Sequence, residues 1–337
     1  MDEQSYKVNW PRIWSSSRRS LMNQCPRAWA LKYGFIRNRN GVFNRHLHHI
    51  SDWSPPWRLM QRALRGLIIE RLQYFSRGEK WPAKELALRL RHRIIGGLAI
   101  QKNTVDIVET RLRDSSKLNR KIPEQEIDRL VEIACNRFHT AIESKPIASI
   151  LNGSIKEWFT CSRLDKTKVD SWQLHIAPDL VWKQGRTWHL LRFTVQGGEI
   201  VTPFKILEHM TMAIWAIERP GLPMVAERFT VETLTWSRGF WHHWVERADS
   251  RIVEIAIQMI KSDIRAMVDL YKRMGPLCDL SQLPLATNRR TCRNCGHIDT
   301  CPGGEDLLRA RLEQSALELT KATTKIGKSR QSNQPQK

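Results

Sequence analysis

The sequence predicts an α/β (α+β) protein in which a mostly helical first part precedes a group of strands and two further helices. Apolar residues recur at helical spacing through the first 150 residues. Segments of strand-like composition, separated by turn signals, begin after Ser154, and helical spacing returns over residues 203–219 and 249–274. At 337 residues the chain is long enough for one elaborate domain or two ordinary ones.

The helical part is predicted to begin with a helix that is interrupted at Pro26. Three serines at residues 15–17 supply N-cap candidates for this helix. Because proline lacks an amide hydrogen, we expect the helix to bend or restart at Pro26, with Cys25 at the corner. Apolar positions at helical spacing predict further helices over residues 56–75, 83–100 and 124–144.

The strand-rich part is predicted from its composition and its turn signals. Strands are expected over residues 155–163, 172–182, 187–195 and 225–236, with turns at 165–170 and 184–185. The Trp241-His242-His243-Trp244 segment follows a turn at Gly239. Two interpretations of it stay open: a stacking platform for bases, or tryptophans that pack at the base of a helix.

The charge of the chain favours a polyanionic partner. It holds 55 Lys and Arg against 34 Asp and Glu, a net charge of +21. Such an excess favours binding to nucleic acid through counterion release. No apolar run approaches the roughly 18 residues of a membrane helix, so we expect a soluble, cytoplasmic protein without membrane association.

Five arginines are candidate contacts to DNA phosphates. Arg58, Arg62 and Arg65 fall on one helical face at spacings of four and three residues. Arg89 and Arg93 belong to a second basic segment. The alternative interpretation is that both groups are solvated helix faces.

Four cysteines form the most informative pattern of the sequence. Cys25 stands alone near the N-terminus, and Cys292, Cys295 and Cys301 lie together more than 260 residues downstream. Thiolates bind soft metals and iron–sulfur clusters, and a two-residue spacing lets two sulfurs converge on one site. In a cytosolic protein, cysteines are more often ligands than disulfides. A metal or cluster held by all four would close a very long loop.

The cysteines sit within a wider pattern. Its N-terminal part is Ser15-x-Ser17-x3-Leu21-x3-Cys25-Pro26-x2-Trp29-x3-Tyr33, and its C-terminal part runs from Cys292 to Pro302. Between them lie a predicted strand ending in Pro178-Asp179-Leu180-Val181-Trp182 and a second one over residues 188–194. The pattern resembles the AddB/RecB-type branch of the PD-(D/E)XK nuclease superfamily, including the CRISPR-adaptation nucleases that carry an iron–sulfur cluster. The match covers roughly residues 14–302.

This resemblance implies a restriction-endonuclease-like core with a mixed central sheet and a large helical N-terminal insertion. It also implies a [4Fe-4S] cluster, ligated by the four cysteines, that joins the N- and C-terminal parts. Zinc, with His297 as a further ligand, and the absence of any metal are the alternatives. The expected divisions are a cluster-contributing helix at 1–35, a helical subdomain at 36–150, the core at 151–275, a cysteine-rich segment at 276–312 and a basic disordered tail at 313–337.

The candidate catalytic positions depart from the family pattern. Such nucleases hold Mg²⁺ with two carboxylates and place a lysine two residues beyond the second. Asp179 stands at the first acid position, but Arg192-Phe193-Thr194 replaces the second acid and the lysine. Arg192 repels a divalent cation and is expected to ion-pair with Asp179. Glu157 matches an acidic position on the preceding strand, where it would give weak metal binding with Asp179.

Other positions of the family pattern have also changed. The upstream histidine of the family maps onto Glu70, and the Q-x3-Y helix motif survives only as Glu208-x3-Met212. Lys183 or Lys205 is a candidate replacement for the missing lysine. Even so, because the second acid, the lysine, the histidine and the Q-x3-Y motif have all changed, we expect neither Mg²⁺ binding nor cleavage.

The sequence thus predicts a DNA-binding iron–sulfur protein with a nuclease-like fold and an inactive catalytic site. It would act as a recognition or scaffold subunit, with a helicase or nuclease partner, in DNA repair, antiviral defence or mobile-element processing. One alternative is an active Mg²⁺-dependent nuclease with rearranged catalytic residues. Another is a structural subunit that binds an acidic protein instead of DNA.

Overall fold

The computed structural model describes residues 12–33, 54–109, 122–198, 201–275, 279–286, 291–292, 295 and 301. His297 and the expected basic tail lie outside these residues. The chain divides into two compact units. The larger unit comprises Arg12–Ser16 and Asp52–Arg265, and the smaller one contains the described parts of Ser17–Ser51 and Ala266–Lys337. Within the described residues, no helix is long and apolar enough to cross a membrane.

The described helices agree closely with the apolar periodicity of the sequence. The first helix is interrupted at Cys25, and the chain restarts at Pro26, as predicted. The eight helices of the described residues are α1 (Ser16–Gln24), α2 (Pro26–Tyr33), α3 (Pro56–Ser76), α4 (Leu86–Glu109), α5 (Glu124–Ile142), α6 (Lys145–Leu151), α7 (Pro203–Ile217) and α8 (Ser250–Met274).

The strands form two sheets, both in the larger unit. The strands are β1 (Ile13–Trp14), β2 (Trp158–Thr160), β3 (Thr167–Val169), β4 (Trp172–Leu174), β5 (Leu180–Gln184), β6 (Thr187–Thr194), β7 (Phe229–Ser237) and β8 (Phe240–Arg247). The small sheet has the order β1-β4-β3, and the main sheet has the order β2-β5-β6-β7-β8. In the main sheet β6 and β7 pair in parallel, and the other neighbours pair antiparallel.

The main hydrophobic core lies between the sheet and the helical part of the larger unit. Leu180, Leu191, Phe193 and Leu234 point from strands of the sheet into this core. They pack in one cluster with residues of α3, α4, α5 and α6, among them Leu64, Leu90, Phe138 and Ile147. Alternation along each strand places these side chains on one face, so the helices cover that face of the sheet.

The mixed α/β class is confirmed. The helix α6 and the last turns of α4 were not predicted, and the other differences from the prediction lie in the strands. The predicted strand over residues 172–182 is two strands, β4 and β5, in different sheets. The Trp241–Trp244 segment belongs to the edge strand β8, and its tryptophans pack against helices. Trp241 Nε1 donates to the Arg137 carbonyl of α5 at 2.9 Å, and the Trp244 ring lies 5.0 Å from that of His209 on α7. Arg238 and Gly239 join β7 to β8, and their φ values of 50° and 92° are those of a tight hairpin turn that glycine favours.

Candidate functional site

Asp179 lies immediately before β5 and is fully buried. Its backbone N–H donates to the Leu191 carbonyl at 2.7 Å, which continues the β5–β6 ladder. Its Oδ2 atom accepts from the Phe193 amide at 2.7 Å. The backbone of the neighbouring strand β6 therefore holds Asp179 through two hydrogen bonds that do not depend on any other side chain.

Two arginines complete the surroundings of this carboxylate. Arg163, from the turn between β2 and β3, donates from Nε to Oδ1 at 2.8 Å and from Nη2 to Oδ2 at 2.6 Å. Arg65, from α3, donates from Nε to Oδ1 at 2.8 Å and also from Nη2. We call Asp179, Arg65 and Arg163 together the Asp179 site.

The Asp179 site keeps its aspartate ionised. Burial by itself raises the pKa of a carboxyl group. The charge and hydrogen bonds of Arg163, followed by those of Arg65, outweigh burial and hold the pKa of Asp179 below its ordinary value. The aspartate therefore carries its charge at neutral pH, and both of its oxygens are occupied by protein donors.

Arg192 does not pair with Asp179, and that prediction was wrong. Its Nη2 atom donates to the Ile176 carbonyl at 2.6 Å and to the Ala177 carbonyl at 2.7 Å. Arg65 and Arg163 already occupy the carboxylate, so Arg192 turns to these backbone carbonyls. Burial, followed by the charge of Arg163, lowers the pKa of Arg192 to about 10.

Glu157 and Thr194 do not join Asp179 in a metal-binding arrangement. Glu157 is exposed and accepts from Lys183 Nζ at 3.1 Å. The β2–β5 register places Glu157 beside Lys183, at the opposite end of β5 from Asp179. Four residues of strand separate the two levels, about 13 Å. Thr194 is half-buried at the end of β6 and is paired in register with Thr235.

Glu208 and His209 form a second buried polar group on α7. Glu208 accepts from Lys205 Nζ at 2.6 Å. Burial raises the pKa of Glu208, but the hydrogen bond and charge of Lys205 and a hydrogen bond from Ser16 hold it below its ordinary value. Burial, followed by the charges of Arg192 and Lys205, lowers the pKa of His209 to about 4. Both candidate replacement lysines, Lys183 and Lys205, are thus engaged with glutamates.

A buried carboxylate on β7 went unnoticed in the sequence. Glu232 lies between His189 Nδ1 and His243 Nε2, with each nitrogen 2.5 Å from a different carboxylate oxygen. Trp182 stacks on His189 with ring centroids 4.9 Å apart. Residues 240–247 run as paired apolar and paired polar residues without alternation, so their pattern does not reveal β8 or place His243 on the sheet.

The five candidate DNA-binding arginines do not share one surface role. Arg65 belongs to the Asp179 site, while Arg58 and Arg62 are exposed on α3. Arg89 and Arg93 both pair with Glu70, which Arg89 Nη1 approaches to 2.6 Å. Within the described residues, therefore, only Arg58 and Arg62 of the five make no ion pair.

The four cysteines of the sequence pattern come together in the smaller unit. Cys25, Cys292, Cys295 and Cys301 line one pocket, together with the apolar side chains Ala28, Leu31 and Leu285. We call these four cysteines the cysteine pocket. Cys25 occupies the corner between α1 and α2, and its sulfur accepts from the Ala28 amide at 3.4 Å. None of the four forms a disulfide.

Arg27 connects the cysteine pocket to the segment before Cys292. It is buried and donates to the Leu283 carbonyl at 2.7 Å and to the Ser281 carbonyl at 3.0 Å. Burial, followed by the nearby Cys25, raises the pKa of Cys301, while the charge and a hydrogen bond of Arg27 oppose that shift.

The donor set of the pocket suits a group bound by thiolates. Four sulfurs from distant parts of the sequence, an apolar lining, an amide donor to sulfur and an adjacent arginine are the surroundings that such a group requires. Among the described residues, no three His, Cys, Asp or Glu side chains form a group already arranged to hold a metal ion.

Comparison with known proteins found no matching family model, no matching curated protein and no matching solved structure. The resemblance to the PD-(D/E)XK superfamily therefore rests on the residues of this chain.

Proposed function

We propose that the chain is a cytoplasmic, DNA-binding iron–sulfur protein with a PD-(D/E)XK-like core that does not cleave DNA. It would serve as a recognition or scaffold subunit beside a helicase or nuclease in DNA repair, defence or mobile-element processing. The observation that carries this proposal is the Asp179 site, where both oxygens of the acid at the first metal position of the family pattern accept from protein donors.

The chemistry of the site argues against hydrolysis. A nuclease of this type needs carboxylate oxygens open to Mg²⁺ and a nearby lysine. Here Asp179 is fully buried, two guanidiniums occupy its oxygens, and Glu157 lies at the other end of β5. A Mg²⁺ ion would have to displace two cations that are already hydrogen-bonded to the carboxylate.

The topology of the larger unit supports the proposed core. Strands β5 and β6 form an antiparallel hairpin, and β6 connects through α7 to the parallel strand β7. Asp179 and Arg192 fall on the two strands of that hairpin region, where the family carries its metal-binding acids. This placement of Asp179 and Arg192 supports the proposed core.

The cysteine pocket supports the structural half of the proposal. Cys25, Cys292, Cys295 and Cys301 would hold a [4Fe-4S] cluster, with zinc as the alternative. When bound, such a cluster would cross-link two segments far apart in the chain and stabilise the folded form. The net charge of +21 supports DNA as the partner.

The proposal is tested by a cleavage and binding experiment on one preparation. We expect labelled single- and double-stranded DNA to remain intact in Mg²⁺ or Mn²⁺, and affinity for it to fall steeply with salt concentration. Cleavage that is lost in Asp179→Ala would establish the nuclease alternative. Affinity that is insensitive to salt would favour an acidic protein partner instead.

A further inference from the structure

The Asp179 site has an excess of positive charge on its outer side. Two guanidiniums surround one carboxylate, and the half-buried Arg192 adds a third cation nearby. The side chains of Arg65 and Arg163 are 25% and 40% exposed, whereas Asp179 is completely covered. The carboxylate of Asp179 is therefore buried, whereas the guanidiniums of Arg65 and Arg163 are partly exposed to solvent.

Both arginines have hydrogen-bond donors to spare. Each uses Nε and Nη2 to bind Asp179, and Arg163 Nη2 also donates to the Phe193 carbonyl at 2.6 Å. Across the residues that the structure describes, the Nη1 atom of neither arginine has a protein partner. One edge of each guanidinium is thus fixed by the carboxylate, while a further donor atom remains for a ligand.

This arrangement suits a phosphate better than a metal. Each Nη1 atom is a charged N–H donor that suits a phosphate oxygen, and fixing the guanidinium beforehand reduces the entropy lost on binding. We propose that Arg65 and Arg163 together bind one phosphodiester of a nucleic-acid backbone without a divalent metal, with Asp179 as the residue that positions them. This inference rests on the proposed DNA-binding function, for which it supplies a specific contact.

The test compares Arg163→Gln with Arg186→Gln. Arg186 is exposed in the β5–β6 turn, at the opposite end of that hairpin from Asp179, so the two changes remove the same charge. Affinity for a fluorescein-labelled 30-base-pair duplex would be measured against salt concentration. For Arg163→Gln we expect affinity to fall about 10-fold and the salt slope to decrease by about 0.9, as for one lost phosphate contact. For Arg186→Gln we expect neither change.

A charge-neutral variant separates a specific contact from overall charge. Asp179→Asn combined with Arg163→Gln removes one charge of each sign, so the net charge equals that of the wild type. It also avoids leaving a buried carboxylate short of partners, which makes it the decisive variant if Arg163→Gln alone does not fold. We expect the same decrease in salt slope. Wild-type affinity and slope in the double variant would overturn the proposal.

Three further outcomes are distinguishable. If EDTA abolishes wild-type binding, a metal holds the phosphate and the proposal is wrong. If the wild type binds DNA with a steep salt slope but Arg163→Gln matches Arg186→Gln, only this inference fails. If the wild type shows no salt-dependent binding to single- or double-stranded DNA, the proposed function itself fails.

Discussion

The Asp179 site and the cysteine pocket carry the two halves of the resemblance, and they differ in what surrounds their ligand atoms. At Asp179, both carboxylate oxygens are occupied by arginines and a backbone amide. In the cysteine pocket, four sulfurs from distant segments share an apolar lining. The charge of the Asp179 carboxylate is thus compensated by arginines of the protein itself. The cysteine pocket has the composition of a site for a soft metal or cluster.

This difference indicates that the surroundings of a carboxylate and those of a group of thiols can change independently of each other. A catalytic carboxylate becomes a structural ion pair when nearby arginines reach it, because a buried anion needs compensation from any cation. Thiols offer weak hydrogen-bonding atoms and cannot be compensated in the same way. Under the proposed function, the cysteine pocket would bind a cluster, whereas the Asp179 site would not support cleavage.

The largest effect is expected from Cys25→Ser. Loss of one of four ligands would abolish the visible absorbance of an iron–sulfur cluster and lower the free energy of unfolding by more than about 4 kcal/mol, as when a structural metal site is lost. Iron analysis and thermal unfolding monitored by circular dichroism measure both quantities.

Cys135→Ala is the matched control for this variant. Cys135 is half-buried on α5 and lies outside the cysteine pocket, so its replacement should leave the iron content unchanged. A colourless wild-type protein with stoichiometric zinc would contradict the cluster, whereas equal iron in Cys25→Ser and wild type would contradict the ligand assignment.

An intermediate effect is expected at the Asp179 site, where it should depend on which partner is removed. Arg163→Gln leaves a buried carboxylate with a single arginine, and we expect a loss of about 2–4 kcal/mol, less than for a fully buried pair because Arg163 is partly exposed. Asp179→Asn leaves two arginines that can reach water, and we expect a loss of about 1–2 kcal/mol. Urea unfolding measures both variants, and equal losses would contradict the asymmetry.

Much of the fold was predictable because it follows local periodicity. The helix that restarts at Pro26 and the long α3 and α8 were predicted from spacing and from proline. Strand β8 was missed because a run of tryptophan and histidine hid the alternation of its faces. The short strands β3 and β4 were assigned to a turn or merged into one strand, since three residues give little pattern.

The candidate site was less predictable because its contacts are distant in sequence. Asp179 was singled out by the family resemblance, which puts it at the first acid position. Its partners could not, because Arg65 is 114 residues away and Arg163 comes from an irregular turn. The wrong pairing of Arg192 with Asp179 has the same origin, since a neighbouring strand position does not show that other cations already occupy the carboxylate.

The smallest effect is expected from replacing His209 on α7. Burial holds the pKa of His209 at about 4, while an unfolded histidine titrates near about 6.5. Between these values the unfolded state binds a proton that the folded state does not, so stability decreases as pH falls from about 6.5 towards 4. His209→Asn should remove about 1–2 kcal/mol of this decrease in urea unfolding at pH values from about 7 to 4.5.

His92→Asn is the control for this pH dependence, because His92 is exposed on α4. It should leave the acid dependence of stability as it is in the wild type. The charges that face His209 are Arg192 and Lys205, which disfavour its protonation, and Glu208, which favours it. If His209→Asn instead retains the full decrease, His209 binds its proton in the folded state as well, and burial with the charges of Arg192 and Lys205 does not lower its pKa.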